Sequence, residues 1–238
     1  MTLAMRMKNK KAEQEAGRER HRQALKVSRR NEPKLERVAP EKAEKPTILI
    51  VCEGENTEPG YFSQFRLSSA TIYPVGEGCN TISLVNRAIK HAAEKKYEQV
   101  WCVFDKDDFP AVDFNNAIAM ARTNGFGVAY SNQAFEYWIL LHFIDHQGGG
   151  MHRNDYDSRL NQLLQPFGLT YDGGGSKMIT EEIFELLIGI DEQTGLNRTQ
   201  LAVNRAKRIY MELSHASPAT EESSTTVFEL VEEILKYV

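Results

Sequence analysis

Cysteine is scarce in this chain of 238 residues. Cys52, Cys79 and Cys102 form no Cys-x-x-Cys pair, which excludes a sulfur-bound zinc module and a disulfide framework. Histidine is almost as rare. His142 and His146 stand four apart, but no third ligand accompanies them, so zinc is not indicated. Long apolar runs are missing too. The stretch from Trp138 to Ile144 is interrupted by His142 and falls far short of the roughly 20 residues a membrane helix needs. The first residues are charged and no apolar core follows them, so no secretory signal is expected, and the setting expected is reducing and cytoplasmic. Glycine triplets at 148–150 and 173–175 lack the strand and the Gly-Lys-Ser/Thr context of a phosphate-binding loop, and read as hinges. There are no internal repeats, no Ser/His/Asp triad and no Cys–His pair.

Charge is present but unevenly placed. Residues 1–46 carry 14 basic and 7 acidic side chains, net +7, and the remaining 15 and 26 leave the body at −11. A basic arm on an acidic body suits phosphate backbones, although a solvated tail has the same composition. Its first part, residues 8–30, favours helix but lacks an apolar stripe, so any helix there is exposed or docks on a partner. Pro33, Pro40 and Pro46 then mark a linker.

The body alternates strand and helix. Strands are predicted at 48–52, 71–75, 100–104 and 126–130, with helices at about 57–66, 81–95 and 111–123 between them. Ser131-Asn132 then caps an aromatic helix running toward Phe143, and helices follow at about 154–165, 177–189, 199–213 and 226–237, the last with a Thr226-x-x-Glu229 capping box. Such alternation implies a parallel sheet with helices on both faces. Three segments are expected: a basic arm and linker at 1–46, an α/β domain at 47–146, and a helical region at 147–238 packed on it.

Two runs carry the chemistry. Ile48-Leu49-Ile50-Val51-Cys52 stops at Glu53-Gly54-Glu55-Asn56-Thr57-Glu58, and Val100-Trp101-Cys102-Val103-Phe104 stops at Asp105-Lys106-Asp107-Asp108. Buried parallel strands read as continuous apolar runs, and open α/β sheets bind ligands beyond their carboxyl ends. If these strands are neighbours, Glu53, Glu58, Asp105, Asp107 and Asp108 gather at one edge. Carboxylates so crowded need protons or a cation, and oxygen ligands suit Mg²⁺ or Mn²⁺. In extended chain Asp105 and Asp107 point the same way and can face one cation. Taken singly, each cluster is equally an ordinary polar strand end. Asn132 and Glu136 lie on the same edge, as substrate ligands or as cap and first-turn acid of a helix. Lys106 and Lys177 are candidate phosphate contacts.

The glutamate after a first strand and the Asp-x-Asp after a later one resemble the signatures of the Toprim fold. More specifically, Cys52-Glu53-Gly54-Glu55-Asn56-Thr57-Glu58-Pro59-Gly60-Tyr61-Phe62, Phe104-Asp105-Lys106-Asp107-Asp108-Phe109, Ser131 to Phe143, and Ser224 to Leu235 resemble the RloB-like family over roughly residues 18 to 238. The resemblance implies a Toprim-like four-stranded parallel sheet flanked by helices, with a helical C-terminal region. It implies a bacterial or archaeal protein linked to restriction–modification and abortive-infection loci, with an ATPase as partner. By the same resemblance Glu53 binds metal or handles a proton. Glu58 departs from the Toprim pattern, standing five residues after Glu53 where many Toprim nucleases have three.

The expected function is Mg²⁺- or Mn²⁺-dependent phosphodiester cleavage of nucleic acid, DNA or RNA, in anti-phage defence. Two alternatives stand beside it: a hydrolase or transferase acting on a small nucleotide signal, and a non-catalytic regulatory partner of a defence ATPase.

Overall fold

The computed structural model describes residues 16–23, 46–76, 81–107, 110–146 and 149–238. Residues 16–23 form an exposed helix, α1, within a unit spanning 1–44. The rest of the basic arm, its linker prolines at 33 and 40, and Cys79 lie outside the described residues. Residues 45–238 make the second compact unit.

In that unit the strands are β1 (Ile48–Cys52), β2 (Ala70–Pro74), β3 (Gln99–Lys106) and β4 (Gly127–Asn132). Among the described residues they form one four-stranded, all-parallel sheet in the order β2-β1-β3-β4. The fold is the expected α/β type. β1 is wholly buried, as its apolar run requires, and alternate residues serve opposite faces. Leu49, Val51, Cys102, Phe104, Val128 and Tyr130 pack against α3 (Thr81–Glu94) and α4 (Ala111–Thr123). On the other face, Ile48, Ile50, Cys52, Val103 and Ala129 join a core with α2 (Thr57–Ser63), α5 (Glu136–Leu140), α6 (Tyr156–Leu164), α7 (Glu181–Ile188), α8 (Arg198–Met211) and α9 (Val227–Leu235). The C-terminal helices thereby cover one side of the sheet. No helix among the described residues is long and apolar enough to cross a membrane.

Both sheet edges are managed locally. β2 ends in Pro74, which an edge strand tolerates because its missing N–H costs no ladder bond. Beyond β4, residues 224–226 take the place of a fifth strand. The Asn132 N–H donates to the Ser224 carbonyl (2.8 Å) and the Thr226 N–H to the Tyr130 carbonyl (2.8 Å). The Thr226 hydroxyl accepts from the Tyr130 N–H (2.9 Å) and donates to the Val128 carbonyl (2.9 Å). This corrects two expectations. Thr226 makes no side-chain cap on α9, because its hydroxyl serves the open groups of β4 instead. Ser131-Asn132 do not cap a long helix, because both remain in β4, and α5 is only five residues long. Gln133 turns the chain at φ +78, and its N–H donates to the Lys106 carbonyl (2.9 Å).

Close packing across β3 and β4 fixes one glycine. Gly127 pairs in register with Trp101, whose indole lies where a Cβ would stand. Gly127→Ala should therefore lower stability by about 1–3 kcal/mol through overpacking, read as a denaturant midpoint shift at constant slope. An unchanged midpoint would show that the indole moves aside freely.

Candidate active site

The β2-β1-β3-β4 order reverses direction at β1 and β3, and the carboxyl ends of strands at such a switch point form a crevice. β1 ends beside β3, where the Glu53 N–H donates to the Val103 carbonyl (2.9 Å). Glu53 Oε2 in turn accepts the Asp105 N–H (3.1 Å), and Asp105 Oδ2 accepts the Phe135 N–H (3.1 Å) ahead of α5. Three chain segments are thus tied together by two acids. Asp105 Oδ1 is fully enclosed and has no hydrogen-bond partner.

These residues open on a cavity of about 310 Å³. Glu53, Glu58, Asp105, Asp107 and Glu136 all line it, together with Arg153 and Lys177. The structure thus brings Glu58 to the other acids despite its spacing, because the first turn of α2 carries it back over Gly54. A Cβ on Gly54 would collide with Oε2 of Glu58. Asp105 and Asp107 share the cavity, as extended geometry requires. Asp108 lies outside the described residues.

Other candidates are placed elsewhere. Asn132 is fully buried and donates its amide to the Pro218 carbonyl (3.0 Å), away from the cavity wall. Lys106 folds back so that Nζ donates to the Asp107 carbonyl. His142 sits in the aromatic core with Nδ1 against the Trp138 carbonyl (3.0 Å), and burial holds its pKa down at about 3. His146 Nδ1 instead meets the Tyr137 hydroxyl (3.1 Å).

Two contributors carry no local signal in the sequence. Arg153 opens a 3₁₀ turn capped by His152, and its Nη1 stands 3.7 Å from Asp107 Oδ2. Tyr171 is buried, and its hydroxyl donates to Glu136 Oε1 (2.7 Å) beside the Thr57 hydroxyl (3.2 Å). Asn161 grips the Tyr171 backbone on both sides, at 2.8 Å each. The second glycine triplet is no open hinge. The Ser176 N–H donates to Asp172 Oδ2 (2.8 Å) and the Lys177 N–H to the Asp172 carbonyl (2.9 Å), closing a turn that leaves Lys177 at φ +50.

The electrostatics follow from crowding. Burial, with Asp107 and Glu58 nearby, pushes the Glu53 carboxyl up to about 7, against the lowering by the Asp105 amide and Arg153. Burial and Glu136 likewise raise Glu58, while Gly54's amide and Lys177 oppose. Burial, then Glu58, Glu136 and Glu53, hold Asp105 far above the usual carboxylate range.

A family model described as RloB-like protein matches residues 48–234. The chain belongs to the RloB-like family. The matched span includes both strand ends and every described residue of the acidic cavity. No curated protein and no solved structure matches the chain.

Donor chemistry in this RloB-like cavity fits a hard divalent cation: all carboxylate oxygen, with Asp105 Oδ1 enclosed and unpartnered. Among the described residues no three His, Cys, Asp or Glu side chains are grouped closely enough to hold an ion by themselves. Mg²⁺ commonly takes only one or two carboxylates and completes its shell with water and substrate phosphate, so the open arrangement suits it.

Raised acids bind protons in the folded state that the unfolded chain releases. Their contribution to stability is therefore full below about pH 4.5 and is lost as pH rises through about 7. The metal-free protein should melt at progressively lower temperature from pH 5 to pH 8, with a shallower fall in Glu53→Gln. A flat profile in the wild type would contradict the crowded-acid account.

Proposed function

We propose that this protein is a Mg²⁺- or Mn²⁺-dependent phosphodiesterase that cleaves nucleic acid in anti-phage defence. The observation carrying this reading is the enclosed, unpartnered Oδ1 of Asp105, set in a cavity with five other acidic residues and two cationic side chains. Family membership supports the defence setting, through the association of RloB-like proteins with restriction–modification and abortive-infection loci.

Asp105 and Glu58 would hold the cation together with water and substrate phosphate, with Asp107 and Glu53 beside them and Asp108 adjacent in sequence. What a bound divalent cation supplies is Lewis-acid polarisation of a phosphoryl oxygen and neutralisation of charge on the leaving oxygen. Glu53, poised near neutrality, suits proton exchange with the attacking water or the leaving oxygen. Its grip on the Asp105 amide fixes that carboxyl relative to the acid most in need of a counter-charge. Arg153 and Lys177 meet the phosphate as fixed positive charges in the same wall.

Glu53→Ala and Asp105→Ala should each reduce metal-dependent cleavage of nucleic acid by about 100-fold or more, the usual scale for a general acid or base, with melting behaviour that shows a folded chain. Retention of cleavage in both variants would overturn the proposal. Gly54→Ala should also reduce metal binding by about tenfold, since displacing the Glu58 carboxylate removes one ligand. Unchanged binding would remove Glu58 from the set.

A further inference from the structure

A second cavity of about 310 Å³ adjoins the acidic one, and the two share Glu136, Arg153 and Lys177 in their walls. Beyond that shared wall the character changes. The acids of the second cavity are already engaged: Glu136 accepts the Tyr171 hydroxyl, and Asp157 Oδ1 accepts the Gly173 N–H (2.9 Å) and the Asn161 amide (3.3 Å). Arg153 keeps about a third of its side chain open, with Asp107 no nearer than 3.7 Å. Lys177 is exposed and held at the rim in a left-handed conformation, which costs about 1–3 kcal/mol and persists only where the surrounding turn enforces it. The Asp172 turn supplies that enforcement. Two cations are therefore stationed at the passage between a chamber rich in carboxylates and one lined by Ala134, Asn154, Tyr156, Tyr171, Gly173 and Gly174.

We propose that the second cavity is a subsite for the nucleotide adjoining the scissile phosphate, with Arg153 and Lys177 gripping the phosphate between the two chambers. The substrate class is then a single-stranded oligonucleotide. Each chamber is at the small end of ligand-site volumes, about right for one nucleoside. Paired cations joined by charge-assisted hydrogen bonds suit a phosphodiester bridging two such sites. A mononucleotide fills only one chamber and leaves the other without purpose. This inference rests on the phosphodiester reading of the acidic cavity.

The test uses the full chain with Ca²⁺ present and compares the 5′-phosphorylated dinucleotides pUpU and pdTpdT with the corresponding mononucleotides by calorimetry. The dinucleotide in at least one sugar series should bind about tenfold tighter, the scale of one charge-assisted phosphate contact. That advantage should vanish in the Arg153→Ala/Lys177→Ala double variant at unchanged melting temperature. Equal affinity for both lengths, no binding of either, or an advantage that survives in the double variant would overturn the subsite. The chemistry is read separately. If Asp105→Ala leaves Mn²⁺ binding intact while the wild-type dinucleotide advantage holds, the metal-site reading falls and the subsite stands.

Discussion

Mutual repulsion among carboxylates that the sheet forces together is the constraint on which the site depends. The β1–β3 register pairs Cys52 with Val103, so both strands reach the same edge of the sheet, where the Glu53 carboxylate turns across to the Asp105 amide. Main-chain donors then hold these acids in place, the Asp105 amide for Glu53 and the Phe135 amide for Asp105. Such bonds fix geometry without cancelling charge. The residual cost appears as carboxyl groups pushed well above the usual carboxylate range, and a proton or a cation is what relieves it.

The remainder of the unit is arranged around that cost. α2 contributes Glu58 from above Gly54, so even a methyl group at position 54 would displace it. The region after α5 contributes no acid to the crowded wall, only counter-charge and a clamp. Arg153 comes from a 3₁₀ turn and Lys177 from the Asp172 turn, while Tyr171 holds Glu136 through its hydroxyl. The C-terminal region thus does more than cover one face of the sheet. The turns that lead into its helices set the positive half of the cleft, and residues 224–226 close the outer edge of β4 so that this face stays fixed.

Much of this was legible in the sequence, for a physical reason. Buried parallel strands must be continuously apolar, so the abrupt stop at Glu53 marks the end of β1 and that at Asp105 the last residues of β3, which runs on to Lys106. Both mark the crevice. Failures came where a side chain had two uses for one hydroxyl or amide. Thr226 carries the signature of a helix cap, but the open backbone of β4 claims it. Ser131-Asn132 look like a cap too, yet the same edge pairing keeps them in the strand. Asn132 thereby leaves the site and becomes a buried strut to Pro218. Arg153 and Tyr171 left no local trace, since nothing nearby in the chain tells which turn will lie against a sheet end laid down some hundred residues earlier. Glu58 was ambiguous by spacing alone and was resolved by one turn of helix.

The central claim is that these acids form one cation site. Its most direct measurement is a calorimetric titration of the folded chain with Mn²⁺, repeated on Glu53→Ala and Asp105→Ala. The account predicts saturable binding by the wild type, accompanied by proton release at neutral pH because raised carboxyls must ionise to coordinate, and loss of that binding in both variants. A folded wild type that takes up no Mn²⁺, or variants that bind it as the wild type does, would leave the acids as ordinary strand ends and contradict the account.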